Sequence, residues 1–192
     1  ASDVYKRQSK NFLDKFESEF NSKLKEEDFV GVFYMAQAMG SSVNLQRSNI
    51  DKMSSLNHIR AMATWVCVKN PSIERNACLM FKAIMEASTP SLLGGRPDLA
   101  KKKFLDLFEQ EPLNLLAKIS YIQFSLIPLL EEEEFYTEMQ KLKRELDLWY
   151  SYVLGHKSNK NQKYRKARFF NLFNSIAKRR YETLWALRKE LF

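Results

Sequence analysis

Breakers are scarce in this chain. Five glycines and five prolines in 192 residues are too few for an all-β architecture, which needs a turn every eight to twelve residues or so, roughly speaking. Most of them fall between segments of helical periodicity, which favours helices joined by short connections. Long apolar runs are missing too, and none approaches the ~18 residues of a membrane span. The two cysteines, Cys67 and Cys78, form neither a CxxC nor a Cys/His metal spacing. His58 and His156 each stand alone, the usual setting of a surface or satisfied imidazole. No GxGxxG, GxxxxGK, HExxH or Ser-His-Asp pattern occurs. These absences leave no assembled catalytic apparatus, and neither a metal nor a cofactor is expected.

What is present is periodic. Phe12, Phe16, Phe20 and Leu24 recur every fourth residue, one helical stripe. Phe29, Val32, Phe33, Ala36 and Met39 form the next, followed by Gly40, where a small residue permits close approach or an end. Ser48 with Asp51 reads as a capping box opening a helix through Ile50, Met53, Leu56, Ile59, Ala63 and Val66, which stops before Asn70-Pro71. A helix over 72–87 turns Ile73, Ala77, Phe81, Ile84 and Met85 inward. After TPSLLGGRP, Pro97 suits a first helical turn, and Ala100, Phe104, Leu107 and Phe108 give that helix its inner face. Pro112 is expected to open an almost wholly apolar helix carrying Leu116, Ile119 and Tyr121, a pattern of central, covered helices. Glu131–Glu134 sits at a helix start, where four acids complement the dipole. Phe135, Met139, Leu142 and Leu146 follow. After a polar loop over 155–162, the last helix packs Phe170, Phe173, Ala177, Tyr181 and Leu184. The expected fold is all-α, a single domain of about six to eight helices in antiparallel hairpins. Ala100, Phe104, Leu107 and Pro112 match the second helix of a TPR unit, with Leu107 where Ala is usual.

The candidates for chemistry are few. Gly94 and Gly95 read as a structural turn, since glycine supplies backbone freedom there and a phosphate loop would need a lysine and a preceding strand. Trp65, Phe81 and Tyr121, with Trp149 and Trp185, are candidates to line an apolar ligand cavity, and core packing is the favoured reading of them. Arg180 falls on the packed face of the last helix, whereas Lys178 and Arg179 point elsewhere. A buried guanidinium must find acceptors, so a structural salt bridge is the favoured reading and an anionic ligand group the other. Cys67 and Cys78 flank Pro71, and helix faces must agree before they can bond. Two small buried thiols are the favoured outcome and a disulfide the lesser one.

Charge gives a weaker signal. Lysine and arginine number 31 against 23 acids, a net charge of +8. The excess is concentrated late, in Lys157–Arg168 and Lys178–Arg180. A solvated helical surface is the favoured reading. A nucleic-acid surface on 157–168, with Tyr164, Phe169 and Phe170 interleaved, is a weaker one. At the other end, DVYKRQ at Asp3–Gln8 is the translation of a tagmentation transposon end. Residues 1–8 therefore read as an unstructured sequencing scar, and the helical domain as 9–192 of a chain lacking its own N-terminus.

Specific stretches carry a family likeness. FYMAQAMGSSVNL, NIDKMSSLNHIRAMATWV, the LLGG loop and above all NSIAKRRYETLWALRKELF resemble the TatT family, the T component of tripartite ATP-independent periplasmic (TRAP) transporters. The likeness spans most of Phe29–Phe192. It departs from the family in a more basic segment before the last helix and in Cys and Met at some helix contacts. The resemblance implies a TPR-like helical fold and a non-enzymatic accessory protein. It also implies periplasmic localisation as a lipoprotein anchored upstream of this chain, homotrimers, and association with the solute-binding P component. A hydrophobic small molecule is a further ligand the resemblance implies. A generic TPR-like interaction scaffold is the alternative.

Overall fold

In the computed structural model, residues 14, 15, 17–46, 49–89 and 95–192 are described. Every regular element among them is helical, as the scarcity of turn residues requires. In chain order these are α1 (17–23), α2 (Phe29–Leu45), α3 (Ile50–Ser54), α4 (Leu56–Lys69), α5 (Ile73–Ser88), α6 (Pro97–Gln110), α7 (Leu115–Tyr121), α8 (Glu132–Val153) and α9 (Asn171–Leu187). A π-helical turn, Ile122–Leu126, extends α7, and a 3-10 segment, Gln162–Phe170, precedes α9. The chain divides into two compact units between Phe81 and Lys82. Phe12, Phe16, Ser48, Gly94 and residues 1–8, on which several sequence expectations rest, lie outside the described residues.

In the first unit α2 packs on α4. Phe29, Phe33, Trp65 and Val66 are buried together, with Phe20, Leu24 and Phe81 closing over them. Phe20 and Phe29 both meet the Trp65 ring edge-on, at 5.3 and 5.2 Å, a favoured arrangement of ring quadrupoles. The indole N–H of Trp65 donates to Asn21 Oδ1 at 2.9 Å. Two expectations are corrected here. Helix α2 runs on through Gly40 to Leu45, and a Cβ at Gly40 would meet Ile59 at an ordinary 3.8 Å, so that glycine marks neither an end nor a tight approach. At the α3 start the Asn49 side chain accepts from Lys52 N–H at 3.1 Å, and Ser48 of the expected box lies outside the described residues. The helix over 50–69 is also broken at Ser55, between α3 and α4.

Cys67 and Cys78 form a disulfide, with Cα atoms 5.7 Å apart. Both are buried, as expected, but they are not the free thiols expected of them. Chain reversal after Lys69 supplies the missing geometry. The first turn of α5 is left-handed, with φ of 48°, 54° and 61° at Glu74, Arg75 and Asn76. Only the asparagine suits that conformation, since other L-residues give up ~1–2 kcal/mol each there. Three such residues inside the disulfide-closed segment re-aim the chain so that Cys78 returns to Cys67. No helical periodicity records this.

In the second unit α7 touches α6, α8 and α9. Its residues Leu115, Leu116, Ala117, Ile119, Ser120 and Tyr121 are all buried, which is why the sequence there is apolar all round. The helix begins at Leu115, not at Pro112. Asn114 caps it, accepting from Ala117 N–H at 3.2 Å, and Pro112 belongs to the preceding turn. Helix α6 does carry Pro97 at its start and buries Ala100, Phe104 and Leu107. A Cβ at Gly95 would lie 1.7 Å from the Thr89 carbonyl oxygen, so only glycine fits this backbone approach. Helix α8 ends in a Schellman motif. Gly155, at φ 87°, and His156 donate to Tyr152 and Ser151 carbonyls, with glycine in the left-handed position such caps favour.

Candidate functional site

The last helix is fixed against the central one by a single asparagine. Asn174 is fully buried. Its Oδ1 accepts from Leu115 N–H at 2.9 Å and its Nδ2 donates to the Leu113 carbonyl at 3.1 Å. The amide thus satisfies a helix-terminal donor that has no partner within its own helix. Trp149 Nε1 donates to Asn171 Oδ1 at 3.2 Å on the same helix. These bonds set the register of α9 along the unit, and with it the position of every side chain one turn further on.

Between α9 and the π-helical turn lies an open cleft of about 430 Å³. Gln123 comes from the turn, and Ile176, Arg179, Arg180, Thr183 and Leu184 from α9. The π-turn is real by its hydrogen bonding, since Ile127 N–H reaches the Ile122 carbonyl five residues back at 3.1 Å. The wider winding shifts Gln123 relative to a regular helix, and such insertions often accompany functional positions. Gln123 Oε1 is buried with no hydrogen-bond partner among the described residues. Arg180 is half-buried. Burial pulls its guanidinium below its ordinary pKa, and no charge near it opposes that shift. Among the described residues no carboxylate lies within ion-pair distance of it. The structural salt bridge favoured from the sequence is therefore not formed among the described residues. Lys178 differs, pairing with Glu182 one turn on, whereas Arg179, expected to point elsewhere, lines the same cleft from its exposed side. The cleft thus combines an uncompensated cation, a second arginine, an orphan amide oxygen and the apolar walls of Ile176 and Leu184.

The other candidates are engaged in packing. Trp65 lies in the core of the first unit and Phe81 packs against that core, 6.0 Å from the Phe33 ring. Tyr121 packs between Phe104 and Phe108. Its hydroxyl donates to Glu134 at 2.6 Å, and Lys101 also reaches that carboxylate at 2.7 Å. Those bonds, Lys101 first, hold Glu134 below its ordinary pKa, and burial followed by Glu134 pushes the Tyr121 hydroxyl up. Glu134 is therefore more than a dipole cap, since it ties α8 to α6 and α7. A second set repeats this pattern. Lys163 and Tyr164 both donate to Glu145 Oε2, each at 2.6 Å. Burial alone would raise Glu145, but the two bonds outweigh it and its pKa is lowered.

That second set bears on the basic segment. Tyr164 and Phe170 are buried and Lys163 is committed to Glu145, so two of the three aromatics suited to base stacking are inside the fold. Trp149 is likewise buried, and Trp185 stacks on Tyr181 with ring centroids 6.1 Å apart. Sequence reasoning missed Gln123 and Asn174. A lone glutamine in the apolar run ISYIQFSLIP was the available signal for the first. A polar residue on the packed face of α9 was the signal for the second. Among the described residues no group of His, Cys, Asp or Glu could hold a metal ion, and no helix is long and apolar enough to cross a membrane.

Comparison with known proteins gives one match. The model of the family described as TRAP transporter T-component (TAtT) matches residues 1–148. The matched range runs into α8 and stops short of α9, where the sequence resemblance is densest. No curated protein and no solved structure matches the chain.

Proposed function

The chain belongs to the TRAP transporter T-component family, and from that premise we propose that it is a non-enzymatic accessory component on the periplasmic side of such a transporter, working by binding its solute-binding protein. One observation carries the binding reading beyond the family. Leu172, Ile176 and Leu187 on α9 are 67%, 37% and 40% exposed. At ~100° per residue they fall on one stripe of the helix. Arg179 and Thr183, also exposed, interleave with them, and such a mixed apolar and polar helix side suits a protein contact. The buried Cys67–Cys78 disulfide supports the same compartment, because structural disulfides persist in oxidising spaces such as the periplasm.

The test is capture of the purified cognate solute-binding protein by this chain and by Leu172→Asp/Leu187→Asp. Neither position lines the Arg180 cleft. The wild-type chain should retain the partner and the double variant should lose at least roughly ten-fold in affinity, as for central apolar contacts, with helicity unchanged. A wild-type chain that retains no solute-binding protein would leave the generic TPR-like scaffold as the better account. Homotrimers, expected from the resemblance, would be checked by light scattering on the same preparations.

A further inference from the structure

We propose that the cleft between the π-helical turn and α9 is a small-molecule site for an amphipathic organic monoanion, a carboxylate with a short apolar body, held by Arg180. The argument begins with a cost. A guanidinium taken partly out of water loses hydration, and a fold that places one there ordinarily supplies acceptors. Arg180 has none among the described residues, although Glu182 on its own helix neutralises Lys178, and Glu134 and Glu145 on α8 neutralise Lys101 and Lys163. Burial with no compensating charge is also what lowers its pKa. The missing partner is therefore an anion from outside the chain. A guanidinium presents donors in a planar fork that matches a carboxylate two-for-two.

The remaining lining restricts the ligand further. Ile176 and Leu184 give the cleft apolar walls, which a bare inorganic anion would leave uncovered. Gln123, from the opposite side, brings an amide whose oxygen is buried and unbonded. That group offers a place for a hydroxyl or amide N–H on the ligand body. A volume of about 430 Å³ falls in the ~300–1,000 Å³ range of small-molecule sites. The proposal does not rest on docking of the solute-binding protein along α9, and either can fail without the other.

The experiment titrates the whole chain, by calorimetry and by 15N NMR of arginine side chains, with hexanoate, 1-hexanol, hexylammonium and inorganic phosphate. Hexanoate should bind and shift the Arg180 Nε–H signal. 1-Hexanol and hexylammonium should each bind at least roughly ten-fold more weakly, the size expected for a charge-assisted hydrogen bond. Phosphate should also bind more weakly, because it leaves the apolar walls unfilled. Arg180→Met should remove the preference for hexanoate over 1-hexanol, whereas Arg165→Gln, on the exposed face of the 3-10 segment, should keep it. Because Arg180 has no ion pair to lose, Arg180→Met should melt no lower than wild type. Phosphate binding as tight as hexanoate would overturn the amphipathic ligand. Binding of 1-hexanol equal to hexanoate, or no hexanoate binding at all, would overturn the site, and both readouts use the wild-type chain alone.

Discussion

At the scale of single residues, the side chains that matter most to stability are of two kinds, and only one kind announces itself in sequence. Phe104 is fully buried between Phe108 and Tyr121, with ring centroids 6.4 and 5.6 Å away. Its place was legible because Ala100, Phe104 and Leu107 repeat at helical spacing. Phe104→Ala should cost roughly 3–5 kcal/mol, the range for a buried phenylalanine, and an unchanged denaturation midpoint would show the face assignment to be wrong. Asn174 is equally buried but reads in sequence like any surface polar residue, because its importance lies in partners about sixty positions away. Asn174→Leu would strand the Leu115 N–H and the Leu113 carbonyl. At about 1–3 kcal/mol for each unsatisfied group, the loss should rival that of Phe104→Ala, read as a fall in urea midpoint at constant slope. The same blindness applied to Arg180. Its position on the packed face follows from helical geometry, but whether a carboxylate meets it depends on which helix lies opposite.

At the scale of elements, periodic faces were legible and the joints were not. The inner faces of α4, α6 and α8 follow from the spacing of Ile59, Ala63 and Val66, of Ala100, Phe104 and Leu107, and of Phe135, Met139 and Leu142, all buried. The left-handed turn at Glu74–Asn76, the start of α7 at Leu115 and the π-turn at Ile122–Leu126 left no such trace. A glutamate and an arginine do not advertise positive φ, and one inserted residue in an apolar run does not change its composition. The disulfide is the joint with the clearest consequence. It closes an 11-residue separation, for which restriction of the unfolded chain is worth about 2–3 kcal/mol. Cys67→Ser/Cys78→Ser should lose about that much, and hydrogen exchange should show the loss in α2, α4 and the start of α5. A double variant as stable as wild type would mean the cross-link merely records a closeness already set by packing. The carboxylate joints make a separate pH prediction. Glu134 and Glu145 both have folded pKa values below the ordinary 4.5. Their stabilisation is thus full above that value and is lost as pH falls through the lowered folded values. Unfolding free energy should decline below about pH 4.5, and Glu145→Gln should flatten that acid limb while lowering stability at pH 7. A limb of equal steepness in the variant would assign acid sensitivity to other groups.

At the scale of the whole molecule, the division between Phe81 and Lys82 falls inside α5, where helical periodicity continues without a break, so composition gives no sign of it. Net charge is the opposite case, fully legible but ambiguous in meaning. An excess of +8 suits a polyanion in principle, and its concentration near 157–168 made a nucleic-acid surface conceivable from sequence. The structure redistributes that signal. Lys163 is neutralised by Glu145, Lys101 by Glu134, Lys143 by Asp147 and Lys178 by Glu182. Tyr164 and Phe170 are turned into the core, leaving Phe169, at 43% exposure, as the accessible aromatic of the three. Base stacking on aromatic platforms is what lifts single-strand binders above simple charge attraction, at ~1–3 kcal/mol per base. With one such ring exposed, affinity for single-stranded DNA should stay in the sequence-independent electrostatic range of about 10⁻⁴–10⁻⁶ M at physiological salt. Phe169→Ala should change it by less than roughly two-fold, because that ring packs against Phe170 and Phe173, with centroids 5.5 and 5.7 Å away, instead of standing free to stack on a base. Fluorescence anisotropy with a labelled oligothymidylate at several salt concentrations decides the matter. Submicromolar binding that collapses on Phe169→Ala would restore the basic segment as a nucleic-acid surface. Weak, sequence-indifferent binding set by salt alone would leave these lysines and arginines as the solvated exterior of a transporter accessory protein.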